Sequence, residues 1–326
     1  MRITILGGGG FLGQKLAHQL AADGHLGGAP ISALTLFDLA APPTPAAAFP
    51  IHALGGDIAE LPDAAIPPGT DVIFHLAAVV SAAAEADYDL GRRVNVRGTD
   101  AVIDACRRLA KPPRVIFTSS IASFSGGQTA ILGDDARQLP ANSYGAQKAA
   151  AELFLIDATR RGFLDAVCLR LPTVIVRPGR PNKAASSFFS AIVREPLLGL
   201  ETDLPVADDF KVWVSSPRSA RAWLLHAAGM PTAALGLDRS LNPPGISVTV
   251  GAIVAALDTV QQGASTRIRR TQDPAIAAIV GGWPAGFDTA RARALGFTPN
   301  EDLVTLVRSF VADDLEATRQ DRAAIR

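Results

Sequence analysis

The sequence predicts an α/β protein, a doubly wound parallel sheet with a smaller C-terminal α/β part. Three observations lead there. Short β-branched runs alternate with longer Ala-rich helical patterns. The apolar runs lack strict alternation, as strands covered on both faces do. A glycine cluster directly follows the first run. The 326 residues carry 31 Lys+Arg against 31 Asp+Glu, and 48% are hydrophobic. That is a globular composition, long enough for two domains or one large unit. Zero net charge leaves no field to gather nucleic acid or an anionic membrane, so neither is expected as a partner. Cys106 and Cys168 are too few for a disulfide framework, and no cluster of Cys and His has metal-ligand spacing.

Along the chain, strands are expected over 2–6, 33–38, 71–76, 114–119 and 166–171, with another ending at Gly55-Gly56. Helical patterns fill 11–23, 91–109 and 143–161. After Leu171 a Pro/Gly-rich loop covers 177–182 and a helix is expected over 184–194. A strand near 210–214 and a helix near 218–228 are expected to return to the sheet. The last hundred residues mix a segment 248–261, a Pro/Gly stretch around Trp283 and an expected C-terminal helix from Glu301. A nucleotide-binding domain is thus expected over 1–172, with a returning segment of about 210–245, and a substrate-binding part over 173–209 and 246–326. Met1-Arg2 precedes only four residues before the glycines, too few for the apolar core of a secretion signal. The uncharged run 39–56 holds four prolines and is no membrane helix. A soluble, cytoplasmic protein is expected.

The cluster GGGGFLG places Gly7, Gly10 and Gly13 in a GxxGxxG spacing between a first strand and a helix. Glycines belong where a chain turns tightly and where backbone approaches a pyrophosphate with no Cβ in the way. The helix beginning Phe11-Leu12 aims its free N–H groups at that phosphate. Asp38 ends the second strand, 25 residues after Gly13, where a carboxylate can accept both ribose hydroxyls of an adenosine. No Lys or Arg lies between Asp38 and Asp57 to neutralise a 2′-phosphate, so the expected cofactor is NAD rather than NADP. Asp57-Ile58 is placed for the adenine edge, and Leu76-Ala77-Ala78 ends a strand with residues small enough to admit the dinucleotide. His75 is read as a packed strand histidine.

Tyr144 and Lys148 stand four apart in YGAQK, on one face of an expected helix. With two tyrosines and five lysines in the chain, chance supplies about 0.03 such pairs. Tyrosine is a weak base at its ordinary pKa, near 10. An adjacent ammonium and a positive nicotinamide favour the phenolate, which can take an alcohol proton as hydride leaves the carbon. Upstream, VIFTSSIASFS ends a strand with hydroxyls that can bond the reacting oxygen. Ser120 is the choice, with Ser119 and Ser123 as alternatives.

Taken together, these residues resemble the extended short-chain dehydrogenase/reductases, in their NAD-dependent epimerase/dehydratase branch. The resemblance rests on GxxGxxG, Asp38, Asp57-Ile58, HLAA at 75–78, NVRGT at 95–99, the Ser120 strand and Tyr144/Lys148. It implies a Rossmann-type domain, NAD, and a Ser/Tyr/Lys triad in which Lys148 also binds the nicotinamide ribose. It further implies Asn95 beside the cofactor and a homodimer formed through the helices at 91–109 and 143–161. Sugar-nucleotide members of the branch usually show Arg-x-x-Asn-x-x-Gly-Pro, where this chain reads RLPTVIVRPG without that Asn. The strings LRLPTVIVRPGRPNKAASSFFSAIVREP, WVSSPRSA and LNPPGISVTV are similar to a narrower group, the D-erythronate dehydrogenases, which oxidise a four-carbon sugar acid at carbon 2. Such a substrate needs a fixed cation for its carboxylate and a few polar groups for its alcohols. Arg177 and Arg218 are the expected carboxylate ligands, and Asn182 the expected hydroxyl ligand. A nucleoside-diphosphate-sugar epimerase, or a uronate or aldose dehydrogenase, is the alternative within the superfamily.

Overall fold

The computed structural model describes residues 1–127, 130–179, 186–299 and 301–323. Its centre is a seven-stranded sheet ordered Ser240–Leu241, Asp165–Leu171, Arg114–Ser120, Val72–His75, Arg2–Leu6, Ala33–Asp38 and Ile51–Gly55. Every neighbouring pair is parallel. The sheet is the doubly wound, Rossmann-type one expected. Its central strands are buried almost residue for residue, which is why their sequences run apolar instead of alternating.

One face is covered by the helices Phe11–Asp23 and Pro217–Gly229, whose Leu16, Leu20, Trp223 and Leu224 bury against Ile3, Ile5, Leu34 and Ile116. The first helix stops at Gly24, which takes φ +68° and returns its N–H to Leu20 O at 3.0 Å. The other face carries Gly98–Arg107 and Ser143–Arg160, packed through Val102, Cys106, Ala151 and Leu155. Between Ala33–Asp38 and Ile51–Gly55 the chain crosses without a helix, through the proline-rich stretch 39–50.

A second core gathers Val176, Phe189, Val193, Val254, Leu257 and Phe310 from the C-terminal part. Lys211–Ser215 was expected to rejoin the main sheet. It instead pairs with Thr173–Val174 and Ile246–Thr249 in a separate three-stranded sheet. Only the helix Pro217–Gly229 and the short strand Ser240–Leu241 return to the main sheet. Lys211–Ser215 is buried at four consecutive positions, and its partner strands lie more than 30 residues away, beyond any local pattern. The helix expected over 184–194 runs Ser187–Leu197. No helix among the described residues is long and apolar enough to cross a membrane.

Candidate active site

The glycine turn is shaped by close approach. Gly7 adopts φ +87°, and a Cβ on it would lie 2.6 Å from Ala77 N. A Cβ on Gly13 would lie 2.2 Å from Gly7 O, so the helix can start this close to the strand only without a side chain there. Gly10 caps the helix Phe11–Asp23 with no side-chain hydrogen bond, which leaves the first N–H groups open. Beside this turn runs a cleft of about 780 Å³, lined by Gly7, Gly10, Asp38, Asp57, Ile58 and Leu76–Val79 among others. Phe11, Leu12 and Gly13 build the turn and helix start but do not line the cleft.

These features fit NAD. The open helix terminus suits a pyrophosphate. One Asp38 oxygen accepts from Gly9 N at 2.8 Å and the other from Leu39 N at 2.7 Å, fixing the carboxylate at the cleft wall where ribose hydroxyls can donate to its remaining lone pairs. No Lys or Arg lines the cleft to receive a 2′-phosphate. The ratio of kcat/KM for NAD over NADP is therefore expected to exceed roughly 10²-fold, since a like-charge clash costs several kcal/mol. Equal use of the two would remove Asp38 from the adenosine site. Asp57 caps the turn Ile58–Glu60 through Ala59 N and pairs with Arg93 at 2.8 Å, so much of its charge is already engaged.

Asn95 lies in a π-helical turn, Arg92–Arg97, and is buried. Its Oδ1 accepts from Val79 N at 2.9 Å, and its Nδ2 donates to Val79 O at 3.0 Å and to Gln147 Oε1 at 2.7 Å. Asn95 thus ties the cleft segment 76–79 to the helix Ser143–Arg160. Gln147, unnoticed in the sequence, completes that tie.

The helix Ser143–Arg160 is capped by Asn142, whose side chain accepts from Gly145 N at 2.7 Å. A Cβ on Gly145 would lie 2.2 Å from Ala122 O, so this glycine lets the helix start press onto the turn after Ser120. That contact puts the Tyr144 phenol in hydrogen-bond reach of the Ser120 hydroxyl. Among the three candidate serines, Ser120 alone lines the cavity beside Tyr144. Ser119 points away to Glu152, and Ser123 donates to Ser120 O at 2.8 Å. Lys148 is buried, with Nζ 4.5 Å from the Phe117 ring centroid and 5.7 Å from that of Tyr144. Burial lowers the Lys148 pKa to about 7, against the opposing pull of Glu152. It raises that of Tyr144, an effect countered by the Arg177 charge and the Ser120 bond. His75 is neutral, pushed by burial and the Lys148 charge to about 3, with Nε2 3.1 Å from Thr99 Oγ1.

The cavity beside Tyr144 measures about 70 Å³, and its walls include Ser120, Tyr144, Thr173, Arg177, Ser186 and Trp283. Burial disfavours the Arg177 charge while the Tyr144 oxygen favours it, and among the described residues no carboxylate pairs with it. Its neighbour Arg194 is satisfied by Glu195. Arg218 does not reach this cavity. Its guanidinium is bidentate to Asp313 at 2.6 and 2.7 Å, a partner 95 residues away that answers the cation at the helix start. Asn182 lies outside the described residues. Thr173 and Trp283 went unassigned in the sequence. Each is carried to the cavity by tertiary packing and bears no local signal.

The arrangement places a phenol, a serine hydroxyl and a guanidinium with no carboxylate partner among the described residues around one small cavity at the carboxyl edge of a parallel sheet, with Lys148 one helical turn beyond the phenol and the glycine-turn cleft alongside. Comparisons with known proteins show what the chain is similar to. The D-erythronate dehydrogenase of Cupriavidus necator is 43% identical over 96% of this chain and 98% of its own length. That of Haemophilus influenzae is 38% identical over 97% of this chain and 100% of its own. A solved structure described as a nucleoside-diphosphate-sugar epimerase from Agrobacterium tumefaciens superposes with a TM-score of 0.92 at 42% identity, covering 97% of this chain and 95% of that one. The family model of the NAD dependent epimerase/dehydratases matches residues 3–219. This chain belongs to the NAD-dependent epimerase/dehydratase family.

Proposed function

We propose that the protein is an NAD-dependent dehydrogenase that oxidises the C2 hydroxyl of D-erythronate, giving 2-dehydro-D-erythronate. The observation that carries the sugar-acid reading is Arg177, a half-buried guanidinium with no carboxylate partner among the described residues, in one cavity with Ser120 and Tyr144. A small substrate carboxylate completes it, as a bidentate charge-assisted pair. Bound NAD supplies the hydride acceptor. Ser120 donates to or accepts from the C2 oxygen and orients it. The Tyr144 phenolate takes the hydroxyl proton, and the Lys148 ammonium favours that phenolate. Gly7, Gly10, Gly13, Asp38 and the 76–78 segment hold the dinucleotide, while Asn95 acts through Val79. In this reading residues 1–172 carry the cofactor, 173–209 and 246–326 shape the substrate side, and 210–245 tie the two together. Two relatives named D-erythronate dehydrogenase, matched over nearly the whole chain, support the choice of substrate.

The test is absorbance of NADH on adding D-erythronate, beside C5 and C6 aldonates, uronates and a UDP-sugar. Net NADH from the four-carbon acid supports the reading. Interconversion of a UDP-sugar without net NADH replaces it with the epimerase activity named for the relative from Agrobacterium tumefaciens.

Two further properties accompany this reading. The cytoplasm holds the NAD pool such an oxidation draws on, and both cysteines are unpaired, as thiols there are. A homodimer would cover the exposed Leu153 and Phe154 on the helix Ser143–Arg160, together with Tyr88 and Leu90 nearby. Sedimentation is expected to give twice the chain mass, falling to the monomer in Leu153→Glu/Phe154→Glu. A wild-type monomer would discard the interface.

A further inference from the structure

One turn beyond Lys148 on the same helix stands Glu152, only 1% exposed, with a set of partners that the reaction as described does not use. Its carboxylate accepts from Ser119 Oγ, from Ser240 Oγ at 2.7 Å, and from the Arg170 guanidinium at 2.9, 3.1 and 3.2 Å. Tyr144, Lys148 and Glu152 repeat at i, i+4 and i+8, and so line one face of the helix. Arg170 is ion-paired to this carboxylate at 2.9 Å, and the buried Lys148 stands one helical turn before it.

We propose that Glu152 is a positioning residue that keeps Lys148 in its ammonium form, and that Arg170 limits this support by drawing on the same carboxylate. The proposal rests on the Ser/Tyr/Lys reading above and adds a control beneath it. A buried ammonium without a counter-charge sheds its proton, because desolvation penalises the charged form. The groups facing Lys148 can be assigned from each element packed against it. On its own helix they are Tyr144 and Glu152. From Val72–His75 comes His75, neutral and packed on Phe117. From Asp165–Leu171 comes Cys168, held as the thiol by burial, while Arg170 on the same strand pairs with Glu152. Asp238 acts at longer range on Cys168 and Arg170. Glu152 is the group here whose negative charge favours the Lys148 ammonium most.

The two substitutions carry opposite signs. Glu152→Gln keeps the shape and the hydroxyl contacts but removes the charge, so Lys148 should titrate about one pH unit or more lower. Arg170→Gln frees the carboxylate for Lys148, whose titration should move up. Ser240→Ala removes a neutral contact and should leave it in place. General loosening of the core cannot move one titration in both directions.

The chain has five lysines, so a ¹³Cε-lysine NMR titration of the full-length protein, with and without NAD, resolves Lys148 directly, assigned by Lys148→Met. The alkaline limb of kcat for D-erythronate should move with it. Unmoved titrations, or shifts of one sign in both charge variants, overturn the proposal. If Glu152→Gln does not fold, the sign in Arg170→Gln decides alone. A wild type that makes no NADH from D-erythronate defeats the substrate reading, while the lysine titration still judges this one.

Discussion

Tyr144→Phe is expected to lower kcat for D-erythronate roughly 10²- to 10⁴-fold, the range a positioned general base contributes. The variant keeps the ring, its packing and the nearby Lys148 charge, so NAD binding by fluorescence titration should stay close to wild type. What it loses is the oxygen that takes the C2 proton. Ser120 cannot replace it, because a serine hydroxyl beside a buried ammonium remains a poor base at neutral pH. The pH profile carries the same assignment. Burial raises the Tyr144 pKa, so activity should rise with pH as the phenolate forms. Loss of the Lys148 proton, which burial makes easier, should bring the activity down again. Near-normal turnover in the phenylalanine variant would end this mechanism.

Arg177→Met is expected to cut kcat/KM for D-erythronate by roughly 10²- to 10³-fold, mostly through KM, since loss of one partner in a buried charge pair costs several kcal/mol. The same change should shift the acid limb to higher pH. The Arg177 charge helps hold the Tyr144 pKa down, and without it the phenolate forms later. A neutral polyol of the same length should lose far less in the variant. If the acid and the neutral polyol lose equally, Arg177 serves the base and not the carboxylate.

The parts of this molecule that could be read from the sequence are those whose cause is local. The strands Arg2–Leu6 and Ala33–Asp38 and the helix Phe11–Asp23 fall at the expected residues, because run length, glycine punctuation and helical spacing settle them. The grouping of Ser120 with Tyr144 was legible for the same reason, through a strand end and a capped helix start. Arg218 misled because a cation at a helix start asks for an anion, and the chain supplies one from Asp313. Glu152 was passed over because an acid on a helix is usually solvated. Its burial depends on Arg170 and Ser240, which arrive from other strands. The strand Lys211–Ser215 looked like any buried strand, and nothing in its composition tells which sheet receives it.

The two halves of the site grip by different means. The glycine turn at Gly7 and Gly13 works through main chain, where any side chain collides, whereas the small cavity is walled by side chains from a strand end, a helix start and loops. Point substitutions can therefore retune which metabolite is oxidised and leave the redox apparatus undisturbed, while the turn itself tolerates almost no variation. Thr173, Ser186 and Trp283 wall that cavity and take no part in the turn.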